Sequence, residues 1–172
     1  MEFFEVLKRR SSVRAYQRKP IEEEKLKLIL SSASMAPSAG NLQAFEIILV
    51  SDEKRKELLA RFALNQWFIA EAPLVLIFFA NPERNVWKYG RRGEDLYCLQ
   101  DATIACAYAQ LAAAAIGIGS CWVGAFDDRK LKQYLNVPGI WKPVAILTLG
   151  YPAEEAISPP KRSIDEFTHF VF

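Results

Sequence analysis

Histidine is almost missing from this sequence. Of 172 residues only His169 is a histidine, so no Ser/His/Asp or Cys/His/Asn arrangement is expected, and acid–base chemistry built on imidazole is set aside. Cysteine is scarce as well. Cys98, Cys106 and Cys121 form no CxxC pair, and with one histidine they cannot complete a tetrahedral zinc site, so no metal is expected. Cys98 and Cys106 fall in an apolar helical stretch, where a reduced thiol acts as a small hydrophobe. An excess of one charge is lacking too: 22 basic against 20 acidic residues leave +2, which points to neither nucleic acid nor a membrane surface. Residues 102–126 carry no charge, but the stretch is alanine-rich, contains Gln110 and is broken by Gly117 and Gly119. It is expected to be a buried helix running into a strand, not a membrane span. The opening residues Met-Glu-Phe-Phe-Glu are acidic and lack the apolar core of a secretory signal, so the expected address is the cytoplasm.

What is present reads as one domain over residues 1–172, without repeat, low-complexity tract or linker. Phe3, Phe4, Val6 and Leu7 recur at helical spacing. Pro20 opens a second helix whose first turn carries Glu22, Glu23 and Glu24, where acids complement the helix dipole, and Pro37 stops it. AFEIILV, residues 44–50, predicts a strand, and Ser51 or Asp52 caps the helix that follows. LVLIFFA, residues 74–80, is a continuous apolar run expected to form a central strand buried on both faces. Residues 94–116 predict a long helix, small or apolar on most of its circumference, and such a helix is buried inside one subunit or between two. Strands are expected at residues 119–124 and 144–149, with a helix capped by Asp127 or Asp128 between them. The tail, residues 167–172, reads as a strand too hydrophobic to be a free edge. Helices around a central sheet make an α+β fold.

Four segments carry candidate chemistry. Arg9-Arg10-Ser11-Ser12-Val13-Arg14 offers three guanidiniums and two hydroxyls, donors suited to phosphate oxygens. The same residues also suit a basic helix end complementing the macrodipole. In Ala36-Pro37-Ser38-Ala39-Gly40-Asn41-Leu42-Gln43 the amides of Asn41 and Gln43 match a ring edge with mixed carbonyl and N–H groups, or serve a plain turn with local side-chain bonds. Gly117-Ile118-Gly119-Ser120-Cys121-Trp122-Val123-Gly124 is not GxGxxG and follows a helix, which excludes a Rossmann dinucleotide site. Its glycines let backbone approach a flat ligand, with Trp122 as a wall. Lys161-Arg162, after Pro159-Pro160, are basic residues that a rigid turn brings towards the first cluster.

RRSSVRAY, APSAGNLQ, YCLQDATIA, GIGSCWVG and LGYP followed by PPKR stand in that order over essentially the whole chain. Together they resemble the nitroreductase family. The resemblance implies a three-layer α/β/α arrangement with a central, mostly antiparallel sheet. It also implies a homodimer with the long buried helix at the interface, where FMN binds non-covalently. By the same resemblance, Arg10, Ser11, Ser12 and Arg14 bind FMN: Arg10 and Ser12 hold the phosphate with Arg162, Lys161 beside it is counted among the cofactor-binding residues, and Arg14 faces the N1–O2 side of the ring. Pro37, Ser38, Asn41 and Gln43 line the ring, partly from the other subunit. The backbone of Trp122, Val123 and Gly124 lies across the flavin, and Asn65, or its neighbour Gln66, contacts it. Relatives differ over residues 81–92, where a lid would lie.

The activity so implied is hydride transfer from NADH or NADPH through FMN to small organic acceptors, nitroaromatics or quinones, by ping-pong turnover. Chemistry on a flavin needs no catalytic triad, in keeping with the missing histidines. No residue is assigned as general acid or base, and Arg14 is expected to favour the anionic reduced ring. A protein that stores or senses FMN, with incidental turnover, would show the same phosphate cluster. No nucleic-acid or membrane partner is expected.

Overall fold

The run LVLIFFA becomes the spine of the sheet. The structure, a computed structural model, describes residues 2–155 and 157–171. Four strands, β1 (Phe45–Val50), β2 (Leu74–Ala80), β3 (Gly119–Val123) and β4 (Lys142–Gly150), lie in the order β1-β2-β4-β3 with every neighbouring pair antiparallel. All seven β2 side chains are buried. Leu74, Leu76 and Phe78 meet Leu147 and Leu149 on one face, and Val75, Ile77 and Phe79 join Ile146 on the other. A strand covered on both sides has no reason to alternate, which is why its sequence is apolar throughout. Each large side chain so buried contributes roughly 1.5–3 kcal/mol.

Helices α2 (Glu23–Ser34) and α6 (Cys98–Ala115) cover the first face. The second is covered by α3 (Glu53–Phe62), α4 (Phe68–Glu71) and α7 (Asp128–Leu135). The result is the three-layer arrangement. Asp52 and Asp127 are the caps of α3 and α7, accepting from the backbone N–H groups of Arg55 and Lys130, both at 2.9 Å. Helix α1 (Phe3–Arg9) leads into the arginine segment, and α5 (Val86–Arg92) follows a 3₁₀ turn at Pro82–Arg84.

Several expectations are corrected. Pro20 does not open α2, which begins at Glu23 with Glu22 at its N-cap. The long helix is α-helical only over α6, because a single π-helical turn, Gly93–Tyr97, precedes it. Nor is α6 enclosed all round within one chain. Cys98, Ala102, Ala105, Cys106, Ala109 and Ala113 form the buried stripe, while Tyr108 on the outer side is 40% exposed. No strand forms in the tail among its described residues. Ser163 and Glu166 instead make a capping box around a 3₁₀ turn at Ile164–Glu166, and Phe167 to Val171 lie exposed or half-buried outside the four strands. Phe172 lies outside the described residues.

Candidate active site

The arginine segment is positioned by the sheet. β3 is an edge strand, and the chain leaving α1 runs along it: Ser12 bridges Ser120, and the Val13 N–H donates to the Ser120 carbonyl at 3.0 Å. Beneath it, the buried Tyr16 hydroxyl lies 2.6 Å from both the Val13 carbonyl and Thr148 Oγ1, and Thr148 Oγ1 accepts from the Cys121 N–H at 3.1 Å. The Glu154 carboxylate accepts from the Arg14 and Ala15 N–H groups at 2.7 and 3.2 Å. Backbone on both sides is thus tied down without calling on the side chains of Arg10, Ser11 and Arg14.

Lys8, Arg9, Arg10 and Ser11 line a cavity of about 500 Å³ whose far wall is Gly117, Ile118 and Pro152. Glu154 and Glu155 share it, so three cations face two carboxylates and the cavity stays net positive. Arg14 points elsewhere, its guanidinium 5.8 Å from the centre of the Phe68 ring. That places it by the loop holding Asn65 and Gln66. Asn65 is exposed in a left-handed conformation, φ 60°, while the Gln66 amide donates to the carbonyls of Ala63 and Ala125 at 2.9 and 3.4 Å. Gln66 therefore ties this loop to the backbone just after Trp122, Val123 and Gly124. Trp122 is half-buried, Val123 buried and Gly124 exposed.

Pro37, Ser38, Asn41 and Gln43 form a second group at the opposite edge of the sheet, on the loop that enters β1. Asp101, 2% exposed, holds this loop from beneath, accepting from the Ala39 N–H at 2.9 Å and the Ala44 N–H at 3.1 Å. The Ser38 hydroxyl accepts from the Gln43 N–H at 3.0 Å. Asn41 and Gln43 take left-handed φ values of 58° and 49°, with Gly40 at 57° between α2 and β1. A second cavity, about 560 Å³, opens beside Pro37 and Ser38 against Tyr97, Leu99 and Ile104.

The two groups do not meet within one chain. Asp101 and Ala114, which border the respective cavities, are separated along α6 by about 20 Å at 1.5 Å per residue. Three strand spacings, about 14 Å, separate β1 from β3. Lys161 and Arg162 are not brought to the arginine cavity either: its wall reaches Ser158, while the Arg162 guanidinium lies 5.5 Å from the Phe167 ring centre.

Cysteine chemistry is absent for a physical reason. Burial pushes the thiols of Cys98, Cys106 and Cys121 upward, for Cys121 against the opposing pull of Arg14, the Ser12 hydroxyl and Arg10. Each shift disfavours the thiolate, the form in which a cysteine is a nucleophile. Asp101, Glu154 and Tyr16 are supports that no sequence motif singles out, and residues 81–92, expected only as the place of a lid, brace the 37–43 loop as well. Asp101 was detectable as the lone acid entering a long uncharged helix.

Among the described residues no helix is long and apolar enough to cross a membrane. The sequence matches the nitroreductase family over residues 7–80 and 63–151, and the chain belongs to that family. It is 31% identical over 176 residues to a Thermus thermophilus protein named NADH dehydrogenase, covering 87% of this chain and 85% of that one. It is 29% identical to a Bacillus subtilis FMN reductase [NAD(P)H], with 92% and 69% covered. A solved FMN-dependent nitroreductase from Clostridium difficile superposes with a TM-score of 0.81 at 31% identity, covering 96% of each chain.

Proposed function

We propose that this protein is an NAD(P)H-dependent oxidoreductase that holds FMN and reduces small organic acceptors, nitroaromatics or quinones among them, with donor and acceptor using one slot in turn. The carrying observation is the arginine segment pinned to the β3 edge, which presents a net-positive cavity beside a backbone fit for a flat ring. The donor set suits FMN. Arg10 and Ser11 line the cavity, Ser12 lies next in the same segment, and guanidinium forks match phosphate oxygens bidentately. Arg14 and the Trp122-Val123-Gly124 backbone lie towards the Asn65 loop, where a ring belongs. Lys161 and Arg162 line no part of this cavity within one chain, so in this assignment they add to the phosphate contacts only if their segment is brought to it in the assembled pair. When bound, FMN supplies hydride acceptance and donation at its N5 nitrogen, so the protein's tasks are orientation and electrostatics. Arg14 provides a fixed positive charge, which stabilises most where negative charge develops.

Pro37, Ser38, Asn41 and Gln43 reach the ring in this assignment from a second copy of the chain. The protomer supports such a pairing: Phe3, Phe4, Tyr108, Ile164 and Phe167 are exposed apolar side chains on α1, α6 and the tail. Apolar surface on this scale marks an interface.

Chromatography of the cofactor released by denaturation tests the proposal. FMN is expected, in a protein that NADH or NADPH bleaches anaerobically within seconds. FAD as the main species, or a colourless preparation, overturns it.

A further inference from the structure

Residues 81–97 fold as a strap across the loop that carries Pro37, Ser38, Asn41 and Gln43. A Cβ built on Gly40 would collide with the Tyr89 hydroxyl and stand 2.8 Å from Lys88 Nζ, so both groups rest directly on that loop. Arg84 Nε donates to the Leu42 carbonyl at 3.1 Å. Arg92 Nε donates to the Tyr97 hydroxyl at 3.0 Å, and Tyr97 packs edge-on against Tyr89 with ring centres 5.1 Å apart. The strap kinks at Gly90, φ 53° and ψ −142°, a backbone conformation open to glycine, and this turns Arg91 and Arg92 back along its length.

The charges on the strap are unevenly satisfied. Arg91 pairs with Asp95 at 3.2 Å, and Lys142 shares the same carboxylate at 3.7 Å. Arg84, Lys88 and Arg92 make no ion pair among the described residues. Both guanidiniums are held through Nε, which leaves their terminal nitrogens for a bidentate oxyanion. Trp87, between Arg84 and Arg92 in the sequence, is 71% exposed, its indole N–H donating to the Arg84 carbonyl at 3.0 Å. Lys88 and Arg92 lie 5.4 Å from the Tyr89 and Tyr97 ring centres but have no carboxylate partner, and an exposed indole on the same strap as such cations suits a flat base that carries phosphates.

We infer that the strap binds the adenosine end of the nicotinamide donor, with the base on Trp87 and the phosphates on Arg84, Lys88 and Arg92. This rests on the assignment of residues 37–43 to the ring. The donor's nicotinamide must lie over the ring, and its remaining half then passes over the loop on which Lys88 and Tyr89 sit. Three unpaired cations exceed what a pyrophosphate alone requires, so the strap favours NADPH, with its extra phosphate monoester, over NADH.

The probe is 2′,5′-ADP, titrated calorimetrically into FMN-loaded protein. Wild type should bind it, and Lys88→Gln, Arg92→Gln and Trp87→Leu should each raise Kd about tenfold, the loss of one charge-assisted or stacking contact. Arg91→Gln, whose parent side chain is already paired with Asp95, should change it little. In stopped-flow reduction the same three variants should weaken the apparent affinity for NADPH while leaving the limiting rate, and reduction by nicotinamide mononucleotide in its reduced form, unchanged. Equal binding of 2′,5′-ADP by wild type and variants, or equal impairment with the mononucleotide, overturns the inference. So does an unchanged nucleotide Kd with a raised KM for an anionic nitroaromatic, which would make the strap an acceptor site. A protein bleached by NADPH that shows any of these results defeats the strap alone, whereas a protein without FMN defeats the underlying function.

Discussion

At the β3 edge the chain presents charge on a backbone that is itself paired to a strand. At the β1 edge it presents amides on a loop held from beneath by one carboxylate. The first half spreads its support over the Ser120 bridge, Tyr16, Thr148 and Glu154. The second rests chiefly on the buried Asp101, with the Ser38 hydroxyl and Arg84 adding one hydrogen bond each. Support spread over a strand edge leaves side chains free to vary in chemistry, whereas a loop with no ladder depends more heavily on its one buried acceptor.

The largest expected effect therefore belongs to Asp101→Ala. It strips two backbone N–H groups of a buried acceptor, a loss of about 3 kcal/mol. For a chain of this size that lowers Tm by about 10 °C. Asp101→Asn should lie between, keeping one acceptor oxygen. A cofactor-free Tm unchanged by Asp101→Ala would show that the loop has other supports and would break the comparison.

At the other edge, Arg10→Ala should leave the Tm of cofactor-free protein near wild type, because the backbone of its segment is held independently. FMN affinity should fall about ten- to a hundredfold, the worth of a charge-assisted contact of about 1.5–3 kcal/mol. Arg162→Ala is expected to act the same way if it reaches the phosphate. Arg14→Ala should change affinity for oxidised FMN less and lower the reduction potential instead, at about 30 mV per tenfold for two electrons. Fluorescence titration and redox titration separate these effects. An unchanged potential in Arg14→Ala places that guanidinium away from the ring.

The smallest effect concerns the buttress beyond the arginine segment. There the Gln17 N–H donates to the Tyr151 carbonyl at 2.9 Å, and the Tyr151 hydroxyl donates to Glu22 between Lys19 and Lys25. That hydrogen bond, with the two lysines assisting, lowers the Glu22 carboxyl to about 2. A depressed carboxylate stabilises the fold above the ordinary glutamate value of about 4.3, and the contribution disappears as pH falls towards 2. Tyr151→Phe should make the acid side of the Tm profile shallower across that window. An identical profile in the variant would show that Glu22 adds nothing to holding the first half.

Much of this was readable from residues alone, and unevenly so. Leu74 to Ala80 declared a strand because both of its faces are covered, and Asp52 and Asp127 declared caps because their partners lie three residues on. Two of the five motifs, RRSSVRAY and APSAGNLQ, fall on segments that the fold places at opposite edges of the sheet. Asp101 acts on N–H groups 62 and 57 residues away, so no local pattern contains its task. The strap was illegible because Gly90 and the π turn at Gly93–Tyr97 break the helical period that would have revealed it. The hydrophobicity of the tail suggested a strand, but a ladder needs a neighbour as well as apolar residues.

The length of α6 has a consequence for mixtures of mutants. If, as proposed, each site draws on Arg10 of one chain and Asn41 of a second copy, a protein disabled at Arg10 and one disabled at Asn41 would carry complementary lesions. Alone, each would have every site damaged. Unfolded together and refolded in equal amounts, half the pairs would be mixed, and each mixed pair would reassemble one site from two intact contributions. About a quarter of all sites would then recover, an activity that neither parent possesses.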